Sequence, residues 1–207
     1  QSSLLPTPLS LTADDVTGSV RHGGRVERLT WQDKDLRVTA TQLDLRWQML
    51  ALLSGQLHID RLHLVSLQID SSAADAPTAS TPPSSLRLPL AVTLEDLSIK
   101  RITWGAQTAA QATELRAHYR YADAQHALTL DHVQIASGSY QGRASLAADG
   151  AMTLDASLSG VLKAALSEGT EPLPLNLNAS VQGALADLAL KATLDLDASA
   201  NPNARSG

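Results

Sequence analysis

A five-residue beat of paired aliphatic residues constrains this chain more than any other feature. Leu57-x-Ile59-x-x-Leu62-x-Leu64-x-x-Leu67-x-Ile69 is followed by Val92-x-Leu94-x-x-Leu97-x-Ile99-x-x-Ile102-x-Trp104, and a shorter copy, Leu128-x-Leu130-x-x-Val133-x-Ile135, comes later. Within a pair, the two-residue spacing puts both side chains on one face of a β-strand. Between pairs stands one extra residue, which would send the next pair to the opposite face of a regular strand. A bulge, bend or tight corner absorbs that residue and returns the apolar set to the same side. The pattern predicts a long, curved β-surface with one continuous apolar face. Such a face needs either a second layer or an apolar ligand.

The supply of apolar residues sharpens this. Hydrophobic residues make up 43% of the 207, yet there is no Phe and only three Trp and three Tyr. A core built without aromatic bulk is unusual. Drift in an Ala- and Leu-rich proteome explains it, and so does a smooth aliphatic surface suited to acyl chains. The formal charge of −5 arises from 16 basic and 21 acidic residues scattered singly. Without a basic stripe interleaved with aromatics, nucleic acid is not an expected partner. The acidic balance also argues weakly against electrostatic adhesion to anionic membranes. The chain has no Cys, which excludes disulfides and leaves the redox compartment open. No stretch has the length of a membrane span and no signal peptide is seen. Both ends read as internal cuts, so a membrane anchor is expected upstream.

Along the chain, short alternating bursts from Val16 to Trp47 predict strands, with turns at His22-Gly23-Gly24 and Gln32-Asp33-Lys34-Asp35. The patch 47–53, closed by Ser54-Gly55, breaks the alternation and predicts one or two helical turns with a glycine cap, closing one end of the sheet. Residues 71–85 are low-complexity and predict a mobile loop rather than a domain boundary. Later alternation predicts further strands, with a turn near Asp123, a two-residue hairpin turn at Asp149-Gly150 and a helical or loop excursion at 161–166. The whole reads as one all-β domain over 1–207 with antiparallel meander connections and frayed ends.

Catalytic and metal signatures are missing. His58 and His63 fall between the apolar positions of the first beat, and His126 and His132 flank Leu128 and Leu130; all four are expected to face solvent. No His-Glu-x-x-His, Asp-rich calcium loop or Cys/His spacing occurs. Gly138-Ser139-Tyr140-Gln141-Gly142 places its serine wrongly for a nucleophile elbow. Asp14-Asp15 and Glu95-Asp96 are adjacent acids, which on a strand point to opposite faces. An enzyme, a cofactor and a metal are therefore not expected. What remains is the apolar surface, for which a two-layer sandwich and a β-solenoid are alternatives to an open face. The interrupted beat speaks against the solenoid.

These residues also carry a resemblance. Thr12-Ala13-Asp14-Asp15-Val16-Thr17-Gly18 through Leu29-Thr30-Trp31, with Leu36-Arg37-Val38 and Leu43-Asp44-Leu45-Arg46-Trp47, is similar to the segment after the membrane anchor in TamB-like proteins. These are AsmA-like inner-membrane subunits of the translocation and assembly module. The stretch from Leu50 to Ile69, the return at Leu88-Pro89-Leu90 and Leu94-Glu95-Asp96-Leu97-Ser98-Ile99, and Pro172 to Asn178 resemble later family segments. The likeness covers most of the chain but lies in patterned apolar residues. It implies a β-taco, or repeating β-groove: an antiparallel-rich sheet curled into an open hydrophobic half-pipe.

The resemblance further implies a periplasmic location in a Gram-negative bacterium, with inner-membrane anchoring through a helix outside this sequence. The implied function is phospholipid movement between inner and outer membranes, linked to outer-membrane biogenesis. A TamA-like outer-membrane barrel is the implied protein partner, bound through a region outside this sequence. The expected groove lining is Leu43 and Leu45; Leu57, Ile59, Leu62, Leu64, Leu67 and Ile69; Leu90, Val92, Leu94, Leu97, Ile99, Ile102 and Trp104; Leu128, Leu130, Val133 and Ile135; and Leu154, Leu175, Leu177, Leu190 and Leu194. The competing expectations are an assembly module that offers strand edges to outer-membrane β-barrel proteins, another AsmA-like groove protein, and a structural spacer.

Overall fold

The computed structural model describes residues 10–19, 21–33, 36–71, 85–105, 110–164 and 173–196. Their strands form a single sheet in strict sequence order: β1 (Ser10–Ser19), β2 (Gly23–Asp33), β3 (Leu36–Gln48), β4 (Gln56–Ser71), β5 (Ala91–Trp104), β6 (Ala110–Ala122), β7 (Gln125–Ile135), β8 (Gly138–Ala147), β9 (Thr153–Ala164), β10 (Leu173–Ala184) and β11 (Asp187–Leu196). The sheet is open, with β1 and β11 at its edges. One 3-10 helix, η1 (Met49–Ser54), joins β3 to β4.

All neighbouring pairs run antiparallel except β4 and β5, which are parallel. This corrects the meander expectation at one connection. The beat reads the same forwards and backwards, so it carries no strand direction. Length could have revealed it. A strand of 16 residues spans about 53 Å, and a parallel neighbour needs a long return, which the 19 residues from 72 to 90 supply. The expected mobile loop falls largely on 72–84, outside the described residues.

The extra residue in the beat is absorbed as bulges. β4 and β5 keep Ile59 opposite Leu94, Leu62 opposite Leu97, Leu64 opposite Ile99 and Leu67 opposite Ile102, so their irregular steps coincide. In β1, β3 and β6 the corresponding step holds one residue in the left-handed region: Asp15, Gln42 and Glu114, with φ of 49°, 50° and 55°. Each sits between small or aliphatic residues that face the same way, as in Ala40-Thr41-Gln42-Leu43. From β8 to β11 the register is unbroken. There simple alternation keeps the apolar set on one face without bulges.

Other expectations need correction. The predicted excursion at 161–166 is strand as far as Ala164, and Leu166 lies outside the described residues. The turn at Asp149-Gly150 is longer than two residues, because β8 ends at Ala147 and β9 begins at Thr153. Met152 takes a φ of 45° there and donates its amide to the Asp149 carbonyl. Gly55 caps η1 in the left-handed region as predicted. The helix does not close the sheet, however: it packs chiefly on β4, and none of its residues is fully buried. Lys34 and Asp35 of the β2–β3 turn lie outside the described residues. Among the described residues no helix is long and apolar enough to cross a membrane.

Candidate functional site: the apolar face

Cross-strand partners share a face, so the register builds the site row by row. One row runs Ala13–Leu29–Ala40–Leu67–Ile102–Ala112–Ile135–Gly138–Leu162–Leu175. Another runs Leu45–Leu62–Leu97–Ala117–Leu130–Gly142–Leu158–Ala179–Ala192. A third is Trp47–Ile59–Leu94–Tyr119–Leu128–Ala144–Ala156–Val181–Leu190. The rows lie on one side of the sheet even across the bulges. Ala40, Leu64 and Ile99 form a buried cluster against Leu29, Leu43, Leu62, Leu67, Leu97, Ile102 and Leu115, which come from several rows.

This places the predicted lining residues. Leu43, Leu64, Ile99, Val133, Leu177 and Leu194 follow one course across the sheet; Leu57, Val92 and Leu154 lie in the row nearest η1; Ile69 and Trp104 lie at the far end. Leu90 is the exception, standing in a bend before β5. Sequence reasoning omitted Leu29, Leu115, Leu146, Leu158 and Leu162, although each keeps the phase of its neighbours. It also misplaced His126. That residue pairs with Tyr121 and Leu146 and so shares the apolar face, a position its even spacing from Leu128 and Leu130 signals.

His126 is partnered there rather than solvated. Its ring stacks at a tilt on Tyr121, with centroids 4.7 Å apart. Its Nδ1 lies 2.7 Å from the Tyr119 hydroxyl and its Nε2 lies 3.0 Å from the Leu86 carbonyl oxygen. Burial, with Tyr121 nearby, pushes the Tyr119 phenol up. The strap 85–87 is tied down at this end of the face. The Leu86 amide donates to the Ala148 carbonyl at 2.8 Å, Ser85 Oγ donates to Asp149 Oδ1 at 2.8 Å, and Arg87 pairs with Asp149. Arg87 foremost, then Ser85, holds the Asp149 carboxyl below its usual range.

The opposite face has different chemistry. Arg25 pairs with Asp44 at 2.8 Å, which lowers the Asp44 carboxyl. His63 Nδ1 lies 2.6 Å from Ser98 Oγ, and His118 Nε2 lies 2.8 Å from Asp131. His58 approaches Asp60 and Glu95, and Ser139 Oγ lies 3.4 Å from His132. A broad depression over β7–β11 carries the polar side chains of Thr129, Asp131, Arg143, Ser157, Asn178 and Lys191 among its lining, together with atoms of Leu130, Leu158 and Ala179. Among the described residues no group of three or more His, Asp or Glu could hold a metal ion.

Among the described residues nothing packs as a second layer on the apolar face. Sustained contacts run between neighbouring strands, and from η1 to β4. The two-layer sandwich is therefore not what these residues form. Even so, Leu64 is only 5% exposed. Toward β11 the face opens, with Leu190 at 69% and Leu194 at 56%. Gly160, opposite Tyr140, and Gly138, two residues before it on β8, belong to the same surface: a Cβ on either would strike the Tyr140 ring, so the ring fills the space that the glycines leave. No protein-family profile, curated protein or solved structure matches this chain.

Proposed function

We propose that this chain is a lipid-carrying segment of a TamB-like, AsmA-related bridge protein. In this reading it holds phospholipid acyl chains along its apolar face in the periplasm, between an inner-membrane anchor and an outer-membrane barrel partner of the TamA type. The observation that carries the reading is the uninterrupted apolar face, from Leu29 on β2 to Leu190 on β11, with no opposing layer among the described residues. Deep burial of Leu64 without such a layer is what a sheet bent toward its apolar side produces, which supports a groove.

The chemistry suits passage rather than tight capture. Each buried methylene of an acyl chain contributes about 0.8 kcal/mol without any polar contact. Rows of Leu, Ile, Val and Ala offer many positions of similar energy. Headgroups would remain in water along the open side. Mass spectrometry of organic extracts of the purified protein tests the reading: copurified phospholipid is expected, and a lipid-free extract would count against it.

A strand-addition role has one observation in its favour. β11 is an edge whose apolar residues are largely exposed. Such an edge can pair with a client strand. That role predicts binding of extended peptides, unaffected by charges placed on the apolar face.

A further inference from the structure

The sheet's most exposed apolar cluster lies off the face, at η1. Leu50 is 79% exposed and Leu53 86%, with Met49 at 43% and Leu52 at 37% beside them. Met49 and Leu52 are more than half covered, but Leu50 and Leu53 have no packing reason to be leucine on this six-residue helix. Exposed clusters of this kind mark contact sites. The local charge identifies the contact. Although the chain carries −5 overall, the depression beside η1 is bordered by Arg21, His22 and Arg46 against one carboxylate, Asp60. Asp60 already accepts from Gln48 at 2.6 Å. Arg46 is held only loosely by Asp44 at 3.9 Å, and among the described residues Arg21 has no ion-pair partner.

The fold builds this arrangement from a glycine turn. Gly23 takes a φ of 104°, and a Cβ there would collide with the Leu45 carbonyl oxygen. The backbone of the β1–β2 turn can therefore lie directly on β3, which brings Arg21 and His22 beside η1. Trp47 links the tip to the sheet: it lines the same depression and faces Ile59 in the apolar row.

We propose that η1 inserts into the interface of an anionic phospholipid bilayer. Leu50 and Leu53 enter the acyl boundary, and Arg21 and Arg46 sit at phosphate level. A protruding apolar turn with a cationic border fits a deformable surface whose headgroups are anionic and whose interior is apolar. If the lipid-carrying reading above holds, the tip is also where an acyl chain passes by way of Trp47 onto the face; the insertion itself does not rest on that reading.

Flotation with phosphatidylglycerol–phosphatidylethanolamine vesicles tests it. The wild-type protein should float. The double variant Leu50→Asp/Leu53→Asp should lose about tenfold or more of its partitioning, with unchanged thermal unfolding, because both side chains are already in solvent. Arg21→Gln/Arg46→Gln should weaken binding to these vesicles in a salt-sensitive way, and should not weaken binding to phosphatidylcholine vesicles. A fluorophore on Leu53→Cys should shift to the blue on vesicles, whereas one on Thr129→Cys should not. Flotation of the leucine double variant equal to wild type would overturn the proposal, as would absence of flotation altogether. Copurified lipid without flotation would leave the carrier reading standing and remove this one. Flotation through η1 with a lipid-free extract would do the reverse.

Discussion

Leu128→Asp separates an open apolar face from a covered one. Leu128 lies mid-face between Tyr119 and Ala144 and is 41% exposed. Roughly three-fifths of its transfer energy is thus realised in the folded chain, about 1–2 kcal/mol of the ~1.5–3 kcal/mol that full burial of a leucine gives. On an open face, the new carboxylate keeps its water and adds little further cost. The variant should stay folded, with a denaturant midpoint lowered by that amount and a carboxyl group titrating in the ordinary range. Under a second layer, the same charge would be stranded and cost about 3–5 kcal/mol or more. For lipid carriage the effect is larger. An acyl chain crossing the carboxylate must strip its water, and a penalty of about 2 kcal/mol is a roughly thirtyfold loss. Urea unfolding of delipidated protein and phospholipid retention measure the two sides. Thr129→Asp, on the polar face opposite Arg143, is the control and should retain lipid. Equal lipid loss in both variants, or unfolding of Leu128→Asp by more than about 4 kcal/mol, would refute the reasoning.

Other expectations follow from the same structure. Leu64→Ala removes a 5%-exposed side chain from the cluster with Ala40 and Ile99; it should cost about 2–3 kcal/mol by chemical denaturation, far more than Leu190→Ala at the exposed end. Gly23→Ala combines a φ of 104° with a clash on the Leu45 carbonyl oxygen, and should destabilise by about 1–3 kcal/mol in thermal unfolding. The strap 85–87 should respond to acid. Asp149 is depressed in the folded state, so its pairing is fully present above the ordinary carboxylate value of about 4 and is lost as pH falls through the lower folded value. The Leu86 amide resonance should report that transition, and Asp149→Asn should abolish it.

Much of the apolar face was legible because its logic is local. Within each pair, side chains two residues apart must share a side. Between pairs, the Leu64-x-x-Leu67 step could return to that side only through a bulge, and such steps do so in the structure. Strand direction was not legible, because the beat is symmetric under reversal; only the length of the insert after Ser71 distinguishes a parallel return. His126 was misread by residue type, since its phase matches Leu128 while its polarity argues for solvent. The partners that permit it there, Tyr119 and the Leu86 carbonyl, are seven and forty residues away in sequence. The exposure of η1 also escaped the sequence. An apolar patch between strands reads as a cap, and only the fold shows that η1 packs chiefly on β4 and leaves Leu50 and Leu53 in solvent.

Photo-crosslinking tests the central claim most directly. A photoreactive residue at Leu62, on the apolar face opposite Leu97, should capture phospholipid in membranes or in the purified protein; one at the adjacent His63, which faces Ser98 on the polar side, should not. Strong adducts at position 62 with none at 63 are the expected result. Equal labelling at the two positions, or labelling at neither, would contradict lipid carriage along this face.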